Sequence, residues 1–185
     1  MLIRILSFLL ETIFFLLIAA ALLRAWMNWV RVNMSAQPGS FVMALTDWLV
    51  KPLRRALPRS LAQSRVDWAS VIAAAVLALA YALLWALLFG LLLGALELTP
   101  VILLTLLSFA LKMLVRVALQ TLFILVLGFA ILSWIQPGSP AYALLGRLTE
   151  PVLAPLRRVI PIVGGVDISA LVLIVLLQIA LMVLV

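Results

Sequence analysis

Four long apolar runs, at residues 5–30, 68–96, 101–135 and 168–185, dominate this chain. Each reaches the roughly 18 residues that a membrane helix needs, because a hydrocarbon core of ~30 Å takes ~20 residues at 1.5 Å rise. Lipid offers no partner to a backbone N–H or C=O, so such runs are satisfied as helices. Composition agrees: 68% of the 185 residues are hydrophobic and 10% charged, against roughly 45–50% and about 25% in soluble domains. The first run could be mistaken for a secretory signal, since Arg4 precedes it and Ala19-Ala20-Ala21 lies within it. It is too long for the roughly 7–15-residue core of such a signal, and is read as a helix.

The chain is also a duplication. Pro52-Leu53-Arg54-Arg55, then Pro58 and Val66-Asp67, recurs as Pro155-Leu156-Arg157-Arg158, Pro161 and Val166-Asp167. Leu6-Ser7-Phe8 returns as Leu107-Ser108-Phe109, Gln37-Pro38-Gly39-Ser40 as Gln136-Pro137-Gly138-Ser139, and Leu45-Thr46-Asp47 as Leu148-Thr149-Glu150. A long-period repeat is one structural unit copied once. The expected fold is therefore an all-α membrane protein, with four transmembrane helices arranged as two parallel helix–loop–helix repeats. Repeat 1 covers residues 1–96, with spans 5–30 and 68–96 around a loop at 32–66. Repeat 2 covers 101–185, with spans 101–135 and 168–185 around a loop at 136–166.

Basic residues orient this arrangement. Lys51, Arg54, Arg55, Arg59 and Arg65 lie in the first loop, Arg147, Arg157 and Arg158 in the second, and none in the turn Glu97-Leu98-Thr99-Pro100. Positive residues collect on the cytoplasmic side, which places both loops there and both termini outside. Trp26, Trp29, Trp48, Trp68 and Trp134 flank the same loops, as interfacial tryptophans do. The net charge of +7 therefore points to anionic phospholipid headgroups rather than nucleic acid.

Within each loop, Pro-Gly closes the preceding span by a turn, and a short interfacial amphipathic helix is expected over residues 41–50 and 142–148. Pro52 and Pro155 suit the first position of a further short turn, which Pro58 and Pro161 would end. In it, Leu53 and Leu57, like Leu156 and Ile160, would dip toward the acyl boundary beneath the paired arginines. Arg54, Arg55, Arg157 and Arg158 serve either topology and headgroup contact or docking of a membrane partner. Asp67 and Asp167 precede spans two and four, where they can cap the helices or pair with the arginines of their own loop.

Glu11, Lys112, Arg116 and Gln120 interrupt apolar sequence, and intramembrane ionisable groups are functional candidates by default. Lys112, Arg116 and Gln120 share one helix face. The repeat aligns Glu11 with Lys112, so an ion pair among Glu11, Lys112 and Arg116 is expected. Arg116 lies about 27 Å and Lys112 about 33 Å from Trp134 along a helix, and Glu11 about 22–27 Å from Trp26 and Trp29. That depth is near the outer boundary, where pairing or headgroup contact satisfies them without a pore. The segment 90–110 is too long for the core and must tilt, thicken the membrane or lie along its outer surface; Gly90 and Gly94 within it match a common close-packing spacing.

Three stretches resemble one family. They are Leu22-Leu23-Arg24-Ala25-Trp26-Met27-Asn28-Trp29; Lys51-Pro52-Leu53-Arg54-Arg55 with Asp67; and Ser133-Trp134 followed by Thr149-Glu150-Pro151-Val152-Leu153-Ala154-Pro155-Leu156-Arg157-Arg158-Val159-Ile160-Pro161 and Gly164-Gly165-Val166-Asp167. The chain resembles the YggT family of bacterial integral membrane proteins. The first copy departs from the family pattern at Asp47-Trp48 and between Arg59 and Arg65. The resemblance implies a bacterial inner-membrane protein tied to cell division, envelope organisation or osmotic and potassium homeostasis, and it supplies no catalytic residue. With no His and no Cys, and acids scattered singly, no enzyme, metal site or cofactor is expected. The expected role is a scaffold or assembly factor whose loops bind anionic lipid, a membrane protein partner or a second copy. A channel contributing to osmotic or potassium homeostasis is the alternative.

Overall fold

The computed structural model describes residues 1–58, 64, 66–93, 100–159 and 167–184. Arg59, Arg65, Gly94, the turn residues 97–99, Ile160, Pro161 and the glycines at 164 and 165 lie outside the described residues. The described chain is helical: α1 (Leu2–Trp29), α2 (Gly39–Ala56), α3 (Trp68–Leu93), α4 (Pro100–Ile135), α5 (Pro140–Arg157) and α6 (Ile168–Leu184). Three stretches, Ile3–Trp29, Trp68–Leu88 and Ile102–Ile135, are long and apolar enough to cross a membrane, and α6 is a shorter apolar helix. The protein is a membrane protein. The described part of the overlong 90–110 segment is helical, and α4 runs unbroken for 36 residues, about 54 Å at 1.5 Å per residue.

The helices form two compact units, Met1–Trp29 with Asn33–Val117, and Val30–Val32 with Ala118–Val185. In the first, α1 packs along α3 and both hold α2. The seam is built from small residues: Ala21, Ala69, Ala73, Ala74, Ala78 and Ala82 are buried with Ile18. Lipid tails are as apolar as leucine, so helices in a bilayer associate through close packing, and alanine lets the backbones approach. Farther along, Tyr81 stacks on Phe109 (ring centroids 5.8 Å apart) and meets Phe14 in a tilted arrangement (5.6 Å), tying α1, α3 and α4. In the second unit Val126 and Phe129 of α4 pack with Leu153 of α5 and with Ala170, Leu173 and Leu177 of α6. Gly128 and Gly146 make room there: a Cβ on Gly128 would sit 3.2 Å from Leu145 Cδ1, and one on Gly146 3.4 Å from the Phe129 ring.

The loop helices differ from expectation. Each is one continuous 18-residue helix, rather than a short helix followed by a new turn at Pro52 or Pro155. Pro52, Pro151 and Pro155 sit inside helices, each at the cost of one backbone hydrogen bond. Packing on both sides explains the continuity. Val50 and Leu53 flank Pro52 and both meet the core of their unit, as Leu153 and Leu156 do around Pro155. A break at the proline would lift one of each pair away.

Helix starts follow local chemistry. Ser139 caps α5 by accepting the Tyr142 N–H at 3.1 Å, with Pro140 just inside the helix. Gly39 opens α2 against the preceding turn, where a Cβ would lie 2.7 Å from Met34 Cα and 2.8 Å from its carbonyl oxygen. Both neighbours are backbone. Gly39→Ala is therefore expected to destabilise the protein by about 1–3 kcal/mol, measured by thermal denaturation in detergent, while Gly138→Ala is resisted by its backbone φ of +98° rather than by space.

Candidate functional site: the locked arginine loops

The amphipathic pattern of α2 and α5 decides which residues turn inward. In α2, Val42, Thr46 and Val50 recur at four-residue spacing and are buried. In α5 the buried residues are Leu148 and Thr149, which are adjacent, and Leu153, four residues beyond Thr149. This rotation brings the carboxylate after each threonine to an arginine, Asp47 to Arg24 of α1 and Glu150 to Arg157. It also splits the copied arginine pair.

In the second copy, Arg157 holds both carboxylates. Its Nε and Nη2 donate to Asp167 Oδ2 at 2.9 and 2.6 Å, and its Nη1 donates to Glu150 Oε2 at 2.7 Å. The guanidinium also lies 5.7 Å over the Phe129 ring, a favourable site for a cation. Asp167 caps α6 as well: Oδ1 accepts the Ser169 N–H at 3.1 Å and the Ser169 hydroxyl at 2.7 Å. Burial pushes the Asp167 carboxyl up, but the Ser169 hydroxyl, Arg157 and the Ala170 N–H outweigh it and hold the group below its ordinary value.

In the first copy two arginines share the same task. Arg54 Nη2 donates to Asp67 Oδ2 at 2.7 Å, and the Ser70 hydroxyl reaches the same oxygen at 2.9 Å. Arg24, buried near the end of α1, donates from Nη1 to Thr46 Oγ1 and to Asp47 Oδ1, both at 2.8 Å. Its Nε lies 4.0 Å from Asp67 Oδ2. Lys51 Nζ takes the other Asp47 oxygen at 2.7 Å. The Lys51 bond, helped by Arg24 and opposed by burial, keeps Asp47 below its ordinary value. Arg24 thus joins α1, α2 and α3 in one network.

The second arginine of each pair behaves differently. Arg55 and Arg158 are exposed, and neither makes an ion pair among the described residues. Away from the loops, Arg116 Nη1 lies 3.7 Å from Glu11 Oε1. Lys112, one turn earlier on α4, is exposed and makes no ion pair among the described residues. Gln120 is half-buried. No group of three His, Cys, Asp or Glu side chains among the described residues could hold a metal ion.

Arg24 is the residue that reasoning from the apolar runs passes over. Its signal was present, because it falls inside the first run, and a guanidinium there needs a buried partner. The aligned carboxylates Asp47 and Glu150 were the matching signal. Neither α4 near its C-terminal end nor α6 carries a counterpart of Arg24, and in the second copy Arg157 bonds both acids.

The CCB3/YggT family model matches residues 3–88 and 110–185, leaving out most of the overlong apolar segment between them. An uncharacterized protein encoded in the proC 3′ region of Vibrio alginolyticus is 35% identical over 94% of this chain and 90% of its own length. The uncharacterized protein YggT of Escherichia coli K12 is 33% identical over 94% of this chain and 86% of its own. PA0392 of Pseudomonas aeruginosa, also uncharacterized, is 32% identical over 88% and 79%. No solved structure matches the chain. On the family match and these relatives, the chain belongs to the CCB3/YggT family.

Proposed function

We propose that the protein is a non-enzymatic, four-pass scaffold of the bacterial inner membrane. It presents two interfacial helices, α2 and α5, on the cytoplasmic side, with both termini outside. The observation that carries this reading is the common fate of the copied arginine pair. In each copy the first arginine fastens its loop helix to the aspartate before the next apolar helix, and the second stands exposed. Fastening makes the outer face of α2 or α5 a preorganised surface, and preorganisation lowers the ordering cost of binding. The 17 residues of α6 span about 25 Å, which supports a fourth crossing by a short, untilted helix. Lack of His and Cys supports a role without chemistry of its own.

The double variant Arg55→Ala, Arg158→Ala tests this reading. It leaves every lock intact, so it is expected to insert and melt like the parent while losing the membrane partners captured by crosslinking in vivo. An unchanged partner set would overturn the scaffold role. So would K⁺ flux through liposomes carrying the purified chain that disappears in Glu11→Ala or Lys112→Ala, a result favouring a channel.

A further inference from the structure

The two loop helices share a lock but not an outer face. On α2, Phe41, Trp48 and Arg55 are seven residues apart, so they fall nearly on one line along the helix. Phe41 and Trp48 are 59% and 60% exposed, and Arg55 is exposed beyond them. Lys51, one turn from both Trp48 and Arg55, keeps a side chain 66% exposed while it bonds Asp47. The second copy has none of this except the arginine. By the Thr46-Asp47 to Thr149-Glu150 alignment, Phe41, Trp48 and Lys51 correspond to Leu144, Pro151 and Ala154, all half-buried. The exposed positions of α5 are instead Ala141, Ala143, Arg147, Glu150 and the prolines at 140 and 155.

Depth gives this difference a meaning. Leu45, Thr46, Trp48, Leu49 and Val50 of α2 line an apolar crevice with Leu17 and Ala21 of α1 and with Ala73 and Leu77 of α3. Leu17 lies about 18 Å along α1 from Trp29, and Leu77 about 14 Å along α3 from Trp68. The middle of α2 therefore lies against the flanks of two apolar helices, not across their ends. The Trp48 Nε1–H donates to the Leu45 carbonyl at 2.9 Å, so its indole can enter an apolar medium with no unpaired donor. Aromatic rings at the acyl boundary, with cations one turn along reaching back to headgroup level, are what an interfacial helix requires.

We propose that the outer face of α2 is a binding site for an anionic phospholipid headgroup. Phe41 and Trp48 seat the helix at the acyl boundary, Arg55 takes the headgroup phosphate with Lys51 beside it, and α5 lacks such a site. The inference rests on the reading that α1 and α3 cross the bilayer with α2 at the end they share. It assigns lipid to the first copy and leaves the face of α5 to other partners.

The chain has no cysteine, so single probes can be placed in the full-length protein. Ala44→Cys on α2 and Ala143→Cys on α5, both at exposed positions, would carry an environment-sensitive nitrobenzoxadiazole dye in phosphatidylcholine nanodiscs with and without phosphatidylglycerol. The probe at 44 is expected to emit to the blue and to be quenched by shallow doxyl lipid, and the probe at 143 to report water. Retention of phosphatidylglycerol over phosphatidylcholine, read by native mass spectrometry, is expected to fall about five-fold in Arg55→Gln and again in Lys51→Gln, Arg55→Gln. Arg158→Gln should leave it unchanged. Arg55 makes no ion pair among the described residues, so an unaltered melting temperature for Arg55→Gln confirms that folding is preserved. Equal burial of the two probes, or equal lipid loss in Arg158→Gln and Arg55→Gln, overturns the inference. If the crosslinked partners still depend on Arg55 and Arg158 in that case, the scaffold reading stands alone. A water-exposed probe at 44, together with partners indifferent to both arginines, removes the two together.

Discussion

Arg24→Ala is expected to destabilise the protein by about 3 kcal/mol, read as a lower melting temperature in detergent. Removing one member of a buried ion pair typically costs 3–5 kcal/mol, because the remaining charge is left without compensation. The lower end applies, since Lys51 still holds Asp47 and Arg54 still holds Asp67. The Thr46 hydroxyl loses its guanidinium donor but keeps its own bond to the Val42 carbonyl at 2.7 Å. Arg24→Lys keeps the charge, but one ammonium nitrogen cannot hold Thr46 and Asp47 as Nη1 does while a second faces Asp67 as Nε does, so an intermediate loss is expected. A lysine variant as stable as the parent would show that charge alone, without the fork, holds α2 against α1. Because Arg24 connects three helices, the loss should also loosen α2, raising amide exchange over residues 42–50 above that of α1.

Arg157→Ala is expected to cost about 2–3 kcal/mol, the effect of stranding a partly buried charged acceptor. Here one side chain serves Glu150, Asp167 and the Phe129 ring, and its loss frees the C-terminal end of α5 from α6. Glu150 is exposed and returns to water cheaply, so Asp167 accounts for most of the cost. The same pair makes stability depend on pH. The Asp167 carboxyl is held below its ordinary value in the folded state, so the stabilisation is complete at neutral pH and above the ordinary carboxylate range. It is lost as pH falls through the folded value. Asp47, also held low, contributes in the same direction in the first copy. Melting curves from pH 7 to pH 3 should therefore slope downward in the acid range, and less steeply in Arg157→Ala. Parallel curves for the two proteins would show that the Arg157–Asp167 bond contributes nothing across that range.

Much of the helical framework could be read without coordinates. Runs of apolar residues too long for a soluble core dictate helices, because hydrocarbon leaves the backbone no other partner, and the copied Pro-Leu-Arg-Arg and Val-Asp segments mark where charge gathers. The loops were less legible. Pro52 and Pro155 suggest helix starts by local preference, yet the helices run through them because Val50, Leu53, Leu153 and Leu156 are packed on either side. Lys112 aligned with Glu11 as the natural ion partner, but Arg116, one turn farther along α4, is the cation at 3.7 Å. A longer side chain on the same face reaches across where the aligned residue does not.

By itself the sequence determined the medium, the helical class, the family, and the presence of two matched basic segments, since these depend only on apolar length and on the order of residues along the chain. Tertiary structure alone decided which arginine of each pair is locked and which makes no ion pair among the described residues, that Arg24 belongs to the first lock, and that α2 exposes Phe41 and Trp48 where α5 has half-buried Leu144 and Pro151. Those outcomes depend on the rotation of α2 and α5 about their own axes. That rotation is set by the packing of Val42, Thr46 and Val50, and of Leu148, Thr149 and Leu153, against helices distant in sequence.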